Sequence, residues 1–259
     1  MTGARTRVLE HLHDTIPRAV RAIARRVADQ LFPWFCVGCQ VPADGALCGA
    51  CLSRVRWIGE PWCPQCGLPL ASGPSHPCGR CATDPPAFDR LRAIACYRPA
   101  DEERDPLGLA LRGLKYGGRR ALAPTLSTLL AERFPFERCA HDLAAPVPLH
   151  VDRLRTRGFN QALLLARAPA RRFGFRVDGG LLTRVRDTPP QVGLAEAERR
   201  GNVRQAFALR PGRSVEGLRV LLVDDVCTST ATARACATVL RQRGAASVDV
   251  LVAARALPH

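Results

Sequence analysis

The sequence predicts an α/β fold, in which a parallel sheet is flanked by helices, and a metal-organised module that precedes the sheet. Apolar runs at 93–96, 143–147 and 220–223 alternate with helical patterns at 160–172 and 231–243. This alternation is typical of parallel strands joined by helices. The segment before these runs has little periodicity and is rich in cysteine, glycine and proline. We therefore expect a metal, rather than an apolar core, to organise that segment.

Length and charge narrow the choice of architecture and partners. The chain has 259 residues, 47% of them hydrophobic, which allows one sizeable core plus a small module. Its 38 basic residues include a single lysine, Lys115, and the net charge is +15. An arginine-rich surface suits phosphate-bearing partners, including nucleic acid, but charge alone leaves nucleic-acid binding open.

Targeting signals are not recognisable in the sequence. It has no apolar run of about 18 residues and no basic start followed by an apolar centre and a small-residue cleavage site. We therefore expect a cytoplasmic protein with no transmembrane segment.

Residues 1–31 are predicted to form an amphipathic helix. Apolar residues recur there every three or four positions, from Val8 to Leu31, whereas arginines occupy other faces. Packing of the apolar stripe on the protein's own core is the simpler outcome, and contact with a membrane surface is the alternative.

The cysteines of residues 32–84 predict two structural zinc sites. They fall into four Cys-x-x-Cys pairs, namely Cys36 with Cys39, Cys48 with Cys51, Cys63 with Cys66, and Cys78 with Cys81. Two intervening residues let both thiolates of a pair face one ion, and two pairs complete a tetrahedral four-thiolate site. Iron–sulfur ligation also uses four thiolates, but the regular spacing favours zinc. The spacing leaves open whether the pairs join in order or interleave.

A second pattern predicts a site for a phosphorylated ribose. The apolar run at 220–223 reads as a buried strand that delivers Asp224 and Asp225 to its carboxyl end, where ligands bind in open α/β sheets. The candidate binding residues are Asp224, Asp225, Thr228, Ser229, Thr230, Ala231 and Thr232. Carboxylates can accept hydrogen bonds from neighbouring ribose hydroxyls, while hydroxyl side chains and amides at a helix start can hold a 5′-phosphate. Helix capping is the ordinary alternative for the two acids, but burying them at a strand end without a ligand is costly.

This segment resembles the phosphoribosyl pyrophosphate motif of type I phosphoribosyltransferases, and nearly the whole chain resembles the ComF family of competence-related proteins. The other matching motifs are LKYGG at 114–118, PVPLHVDRLRTRGFNQA at 146–162 and QVGLAEAERRGNVRQAF at 191–207. The resemblance implies a double zinc ribbon over 32–84 and a type I phosphoribosyltransferase-like domain over 85–259. It also implies phosphoribosyl pyrophosphate as ligand, with Mg²⁺ bound to its pyrophosphate.

The resemblance assigns roles to further residues. The turn at 146–148 lies where these enzymes grip pyrophosphate, and Arg157 in the RGFNQ motif is the preferred phosphate-binding arginine. The stretch 184–202 resembles a mobile hood, whose motif residues here are Gln191, Arg199, Arg200 and Asn202. One position departs from the family pattern, because Thr230 stands where glycine is usual, and a β-branched residue there can tighten or obstruct the phosphate loop.

Two classes of function follow from this sequence. The first is a phosphoribosyltransferase, in which a nucleophile displaces pyrophosphate at the anomeric carbon, although no motif identifies the acceptor. The second is a non-catalytic protein that binds single-stranded DNA or competence proteins on the same fold. Because only 5% of the residues are aromatic, DNA binding would depend on phosphate contacts and on salt.

Overall fold

The computed structural model describes residues 34–97, 105–185 and 206–257. The predicted helix over 1–31 and the hood residues Gln191, Arg199, Arg200 and Asn202 lie outside the described residues. Among the described residues, no helix is both long enough and apolar enough to cross a membrane. The predicted division into 1–31, 32–84 and 85–259 stays a prediction.

The elements follow one another in the order that the sequence patterns indicated. The cysteine-rich part contains β1 (Trp34–Phe35), β2 (Pro42–Ala43), α1 (Gly49–Leu52) and α2 (Gly79–Thr83). The first half of the larger part contains β3 (Arg90–Tyr97), α3 (Pro106–Lys115), α4 (Ala123–Glu132), β4 (Leu143–Pro146), α5 (Val151–Arg157), α6 (Gln161–Leu165) and α7 (Arg167–Phe173). It continues with β5 (Arg176–Val177), β6 (Leu182–Arg184), β7 (Phe207–Leu209), β8 (Arg219–Cys227), α8 (Ala231–Gln242) and β9 (Ser247–Ala256).

A five-stranded sheet with the order β3-β9-β8-β4-β5 forms the centre of the fold, and all of its neighbouring strands are parallel. Alternate residues of β8 face opposite sides: Leu221 and Val223 join one apolar cluster, Val220 and Leu222 the other. A strand that is buried on both faces reads as a continuous apolar run, which is why 220–223 was recognisable. The predicted α/β fold with a parallel sheet flanked by helices is confirmed.

The cysteine-rich module covers the outer edge of β3, which is the first strand of the sheet. The amide of Ile58 donates to the carbonyl of Ile94 at 3.0 Å, and the amide of Cys96 donates to the carbonyl of Arg56 at 2.8 Å. Further along β3, the amide of Leu91 donates to the carbonyl of Gln65. Backbone groups that an edge strand would leave open are thus paired within the chain.

The helical pattern at 160–172 is two helices, α6 and α7, rather than one. Pro169 lies in the first turn of α7 and has no amide to donate to the carbonyl of Leu165, so the helix is interrupted at that point. The hydroxyl of Ser127 replaces the missing donor, at 2.9 Å from the Leu165 carbonyl oxygen, and accepts from the amide of Ala168. The break is therefore fully hydrogen-bonded.

Candidate functional site

The eight paired cysteines form two groups of four. Cys36, Cys39, Cys48 and Cys51 form the first group, and Cys63, Cys66, Cys78 and Cys81 form the second. Within each group all four sulfur atoms lie within 4.8 Å of one another. The pairs thus join in order along the chain and do not interleave.

The sulfur geometry fits tetrahedral zinc. With Zn–S bonds of about 2.3 Å, a tetrahedral site places neighbouring sulfurs about 3.8 Å apart. The Sγ atoms of Cys39 and Cys48 are 3.6 Å apart, and those of Cys66 and Cys78 are 3.7 Å apart. Backbone amides of Cys66 and Cys78 donate to Cys63 Sγ; although burial opposes ionisation, these donors lower the pKa of Cys63 to about 7. Four thiolates close each site, which is typical of structural rather than catalytic zinc.

The two predicted ribose-binding acids lie at the carboxyl end of β8, at the centre of the sheet. Asp225 is buried, with only 3% of its surface exposed, and Asp224 is half-buried. β4 ends with Pro146 paired to Val223, and the amide of Val147 donates to the Val223 carbonyl. The predicted pyrophosphate turn and the acid pair therefore lie side by side at one edge of the sheet.

Asp225 is held by two residues that the motif analysis did not select. Lys115 Nζ, at the end of α3, lies 3.3 Å from Asp225 Oδ2. Gln161 Nε2, at the start of α6, donates to the same oxygen at 3.3 Å, and Gln161 is itself buried. Two separate segments, α3 and α6, thus converge on one carboxylate of β8.

Arg157 extends this network away from the acids. Its Nη1 donates to Gln161 Oε1 at 2.6 Å, so Gln161 connects Arg157 to Asp225. The aromatic ring of Tyr116, which is 74% exposed, lies 6.0 Å from the Arg157 guanidinium and 5.9 Å from Lys115 Nζ. Arg157 is the last residue of the short helix α5.

The surroundings of the two acids shift their pKa values in opposite directions. Burial, together with the neighbouring Asp225 charge, raises the pKa of Asp224 to about 8. Burial opposes ionisation of Asp225 as well, but Lys115 and the amide of Val226 hold the pKa of Asp225 below its usual value. The ionised Asp225 in turn raises the pKa of Lys115. The site thus combines a fixed ion pair with a second carboxyl that resists ionisation, an arrangement typical of functional sites.

The predicted phosphate loop begins at Thr228, directly after β8 ends. Thr228 is exposed, Ser229 and Thr232 are half-buried, and Thr230 and Ala231 are buried. Thr230 has a φ of 59°, so the position where glycine is usual does adopt the left-handed conformation. α8 begins at Ala231, and the Thr230 side chain makes no capping bond to its first amides. The first amides of α8 therefore have no cap from Thr230, and uncapped amides at a helix start are able to bind a phosphate.

A cleft next to Tyr116 separates α3 from the first cysteine group. Arg112, Arg119 and Tyr116 contribute polar and aromatic surface, while Val37 and Leu109 line its floor. The cleft shares Tyr116 with the acid site, so an extended ligand could occupy both.

Comparisons with known proteins agree with these features. A family model described as a double zinc ribbon domain matches residues 27–82. The DNA utilization protein YhgH of Salmonella typhimurium is 37% identical over 233 residues, spanning 87% of this chain and 98% of that protein. Competence protein F of Haemophilus influenzae is 30% identical over 234 residues, with the same coverage of 87% and 98%. The chain belongs to the ComF family.

Solved structures align less closely with this ComF-family chain. One, described as the allosteric regulatory enzyme of purine biosynthesis, is 24% identical with a TM-score of 0.38, covering 55% of this chain and 30% of that one. Adenine phosphoribosyltransferase from Leishmania tarentolae is 15% identical with a TM-score of 0.32, covering 52% and 70%. Similarity at this level carries no argument about activity.

The sequence motifs selected the acids, Arg157 and the loop as binding residues, and that role stays a prediction. The structure brings together Asp224, Asp225, Arg157 and the loop at 228–232, whereas the four hood residues lie outside the described residues. The sequence motifs did not single out Lys115 and Gln161, although both residues lie within those motifs. The signal for Lys115 was available, because it is the single lysine in an arginine-rich chain.

Proposed function

We propose that this ComF-family protein binds phosphoribosyl pyrophosphate with Mg²⁺ at the carboxyl edge of its sheet. The observation that carries the proposal is the position of Asp224 and Asp225, which lie near the carboxyl end of the central strand β8, just before a hydroxyl-rich loop and the start of α8. Acids for the ribose and amides for the 5′-phosphate are thereby adjacent, in the order that the ligand requires.

Each group has a proposed task in ligand binding. Asp224 and Asp225 accept hydrogen bonds from the ribose hydroxyls, and residues 228–232 hold the 5′-phosphate. Lys115 and Arg157 supply positive charge for the pyrophosphate, which the turn at 146–148 approaches from the neighbouring strand. Carboxylates are preferred Mg²⁺ ligands, so the acid pair could also hold the ion, which would neutralise pyrophosphate charge. The hood residues Gln191, Arg199, Arg200 and Asn202 are proposed to exclude water from this site.

The reaction class that fits such a site is pentosyl transfer. A bond forms from an acceptor nucleophile to the ribose anomeric carbon, and the bond from that carbon to the pyrophosphate oxygen breaks. Positioning and charge neutralisation are the main requirements of this displacement. The acceptor class stays open in this proposal, because no described residue singles out a base or an amine.

Calorimetric titration with phosphoribosyl pyrophosphate and Mg²⁺ tests the proposal. At pH 8.5, where Asp224 is largely ionised, wild-type protein is expected to bind saturably, and Asp224→Asn to bind at least about tenfold more weakly, since a charge-assisted hydrogen bond contributes roughly 1.5–3 kcal/mol. Asp142→Asn is the matched control, because Asp142 pairs with Arg219 at the opposite end of β8. Asp225→Asn is a poorer choice, because it also breaks the ion pair with Lys115. Absence of binding by the wild-type protein would refute the proposal.

Single-stranded DNA is the second candidate ligand, and the exposed Tyr116 ring beside Lys115 and Arg157 favours it. Exposed aromatic rings next to cations can stack bases while the cations contact phosphates. Fluorescence anisotropy of a labelled oligothymidine at several salt concentrations tests this function. We expect Tyr116→Ala to weaken binding several-fold and Tyr116→Phe to retain it; a salt slope near zero would contradict phosphate-driven binding.

The cellular setting is part of the proposal. Relatives are named for DNA utilization and for competence, which supports a role in DNA uptake or processing together with competence proteins. The two four-cysteine groups suit a reducing compartment, in which thiols are kept for metal rather than for disulfides. A cytoplasmic location fits both points.

A further inference from the structure

Arg255 connects the phosphate loop to the second cysteine group. It lies near the end of β9, and only 4% of its surface is exposed. Its Nη1 donates to Cys227 Sγ at 2.7 Å and to the carbonyl oxygen of Thr228 at 3.1 Å. These two residues are the last of β8 and the first of the loop at 228–232, so the guanidinium fixes the point at which the loop leaves the sheet.

The same guanidinium adjoins the second cysteine group. The Cys227 thiol that it contacts belongs to the same buried cluster as Cys63, Cys66 and Cys81. A buried guanidinium needs negative partners, because an uncompensated buried charge strongly destabilises the fold. A zinc site of four thiolates carries net negative charge and would supply that compensation. Arg255 therefore lies between the second cysteine group and the start of the phosphate loop.

Arg234 makes a parallel connection on the other side of the loop. Its Nε donates to Thr230 Oγ1 at 3.2 Å. Its terminal nitrogens donate to the carbonyl oxygen of Asp84 at 2.6 Å and to the Asp84 carboxylate at 3.2 Å. Asp84 directly follows α2, the helix that carries Cys81. Thr230, whose left-handed backbone is strained, is thus linked through Arg234 to the segment that follows the second metal site.

We propose that Arg255 and Arg234 are positioning residues through which zinc at Cys63, Cys66, Cys78 and Cys81 holds residues 227–232 in the conformation that binds phosphate. The second zinc site then supports the phosphate loop in addition to folding its own ribbon. The effect on affinity rests on the function proposed above, whereas the effect on loop order does not.

Matched variants separate this role from general stabilisation. Arg234→Met and Arg255→Met remove the two connections. Arg241→Met is the control. Arg241 lies on the same helix as Arg234 and binds Asp89, which belongs, like Asp84, to the segment between α2 and β3. It does not contact the loop. Arg255→Lys keeps the buried charge without the forked donors and serves as the conservative variant.

The two zinc sites provide a second matched pair. Cys78→Ser weakens the second site, and Cys48→Ser makes the equivalent change in the first site; both cysteines are half-buried. Zinc content, measured by mass spectrometry, should fall by about one ion per chain in each variant, since each site holds one ion. The two variants should therefore lose the same amount of zinc, and they differ in how far the altered zinc site lies from the loop at 228–232.

Hydrogen–deuterium exchange of peptides covering 226–233 tests the connection without any ligand. Exchange is expected to be about tenfold faster or more in Arg255→Met, Arg234→Met and Cys78→Ser, because each loosens the loop. Arg255→Lys should fall between Arg255→Met and the wild type, whereas Arg241→Met and Cys48→Ser should match the wild type. If Arg255→Met does not fold, Arg234→Met and Cys78→Ser decide the result. Unchanged loop exchange in these two variants would overturn the proposal.

Titration with two ligands then tests the effect on affinity. Ribose 5-phosphate should bind Arg234→Met and Arg255→Met about tenfold more weakly than wild type, which corresponds to about 1.4 kcal/mol. Inorganic pyrophosphate with Mg²⁺ should bind all of these proteins equally, because it does not use the loop. Equal ribose 5-phosphate affinities across the variants would overturn the positioning role. If the wild-type protein bound no ribose 5-phosphate, the proposed function would fail, and the exchange data would still decide whether zinc holds the loop.

Discussion

Replacing Asp224 by asparagine should stabilise the protein while it weakens ligand binding. The carboxyl of Asp224 has a pKa of about 8 in the folded chain and an ordinary value of 3.8. The folded state therefore binds this proton more tightly than the unfolded chain does, so ionisation destabilises the fold. The destabilisation begins as the pH rises above 3.8 and is complete above about pH 8. Asparagine has the same shape and no charge, and its oxygen can still accept from the amide of Asp225.

The size of the effect follows from the two pKa values. Each pKa unit corresponds to about 1.4 kcal/mol, and solvent contact of the half-buried side chain screens roughly half of the difference. Asp224→Asn should therefore raise the free energy of unfolding by on the order of 3 kcal/mol at pH 8.5. The gain should shrink steadily toward pH 5, where most of the wild-type carboxyl is protonated in the folded state.

Urea denaturation of the zinc-loaded proteins, followed by far-ultraviolet circular dichroism between pH 5 and pH 8.5, measures this difference. Asp142→Asn is a control of opposite sign, because the Arg219 side chain and amide lower the pKa of Asp142 to about 2. That variant should be less stable than wild type at neutral pH, because the folded state gains from the charge that it removes. A stability gain in Asp224→Asn that does not change with pH, or a loss at pH 8.5, would contradict the reasoning.

Three further substitutions test other features. Lys115→Met leaves a buried carboxylate unpaired and should lower the free energy of unfolding by about 2 kcal/mol, with Lys115→Arg closer to wild type in the same urea titration. Thr230→Gly removes left-handed strain of about 1 kcal/mol but also the hydroxyl that Arg234 contacts, so it should bind phosphoribosyl pyrophosphate about as weakly as Arg234→Met in calorimetry; wild-type affinity would show that this contact is not needed. Gly67→Ala should destabilise the protein by about 2 kcal/mol or more, because Gly67 has a φ of 63° and an added Cβ would collide with the carbonyl oxygen of Leu91. Gly79→Ala, with open space around the added methyl group, is its control in thermal denaturation, and equal melting temperatures would refute the collision.

Local patterns were enough to predict three strands of the central sheet, the cysteine pairs and the position of the acid pair. The residues that form each feature lie within a few positions of one another, both in the four Cys-x-x-Cys pairs and in the sequence from Val220 to Thr232. The joining of the cysteine pairs in order could not be predicted, because it depends on how the chain folds between them. The break between α6 and α7 was also missed, since a Ser127 hydroxyl from another helix completes it.

The supports of the site were missed because they come from distant parts of the chain. Lys115 is 110 residues from Asp225, and Gln161 is 64 residues from it. Arg234 reaches Asp84 across 150 residues. Such contacts are fixed by strand order and helix packing, and neither can be derived from spacing within a motif. The sequence therefore indicates which residues carry the chemistry better than it indicates which residues hold them in place.

The covering of β3 by the cysteine-rich module has a consequence for protein quality control. A chain that lost its zinc would uncover a parallel edge strand whose inward residues are alanine, isoleucine and leucine, and exposed strands of this kind join edge to edge with other copies. Zinc deficiency would then lead to aggregation and proteolysis of the protein, whatever its affinity for a ligand. Abundance of the protein in the cell would consequently follow zinc supply, even where the proposed ligand site is unchanged.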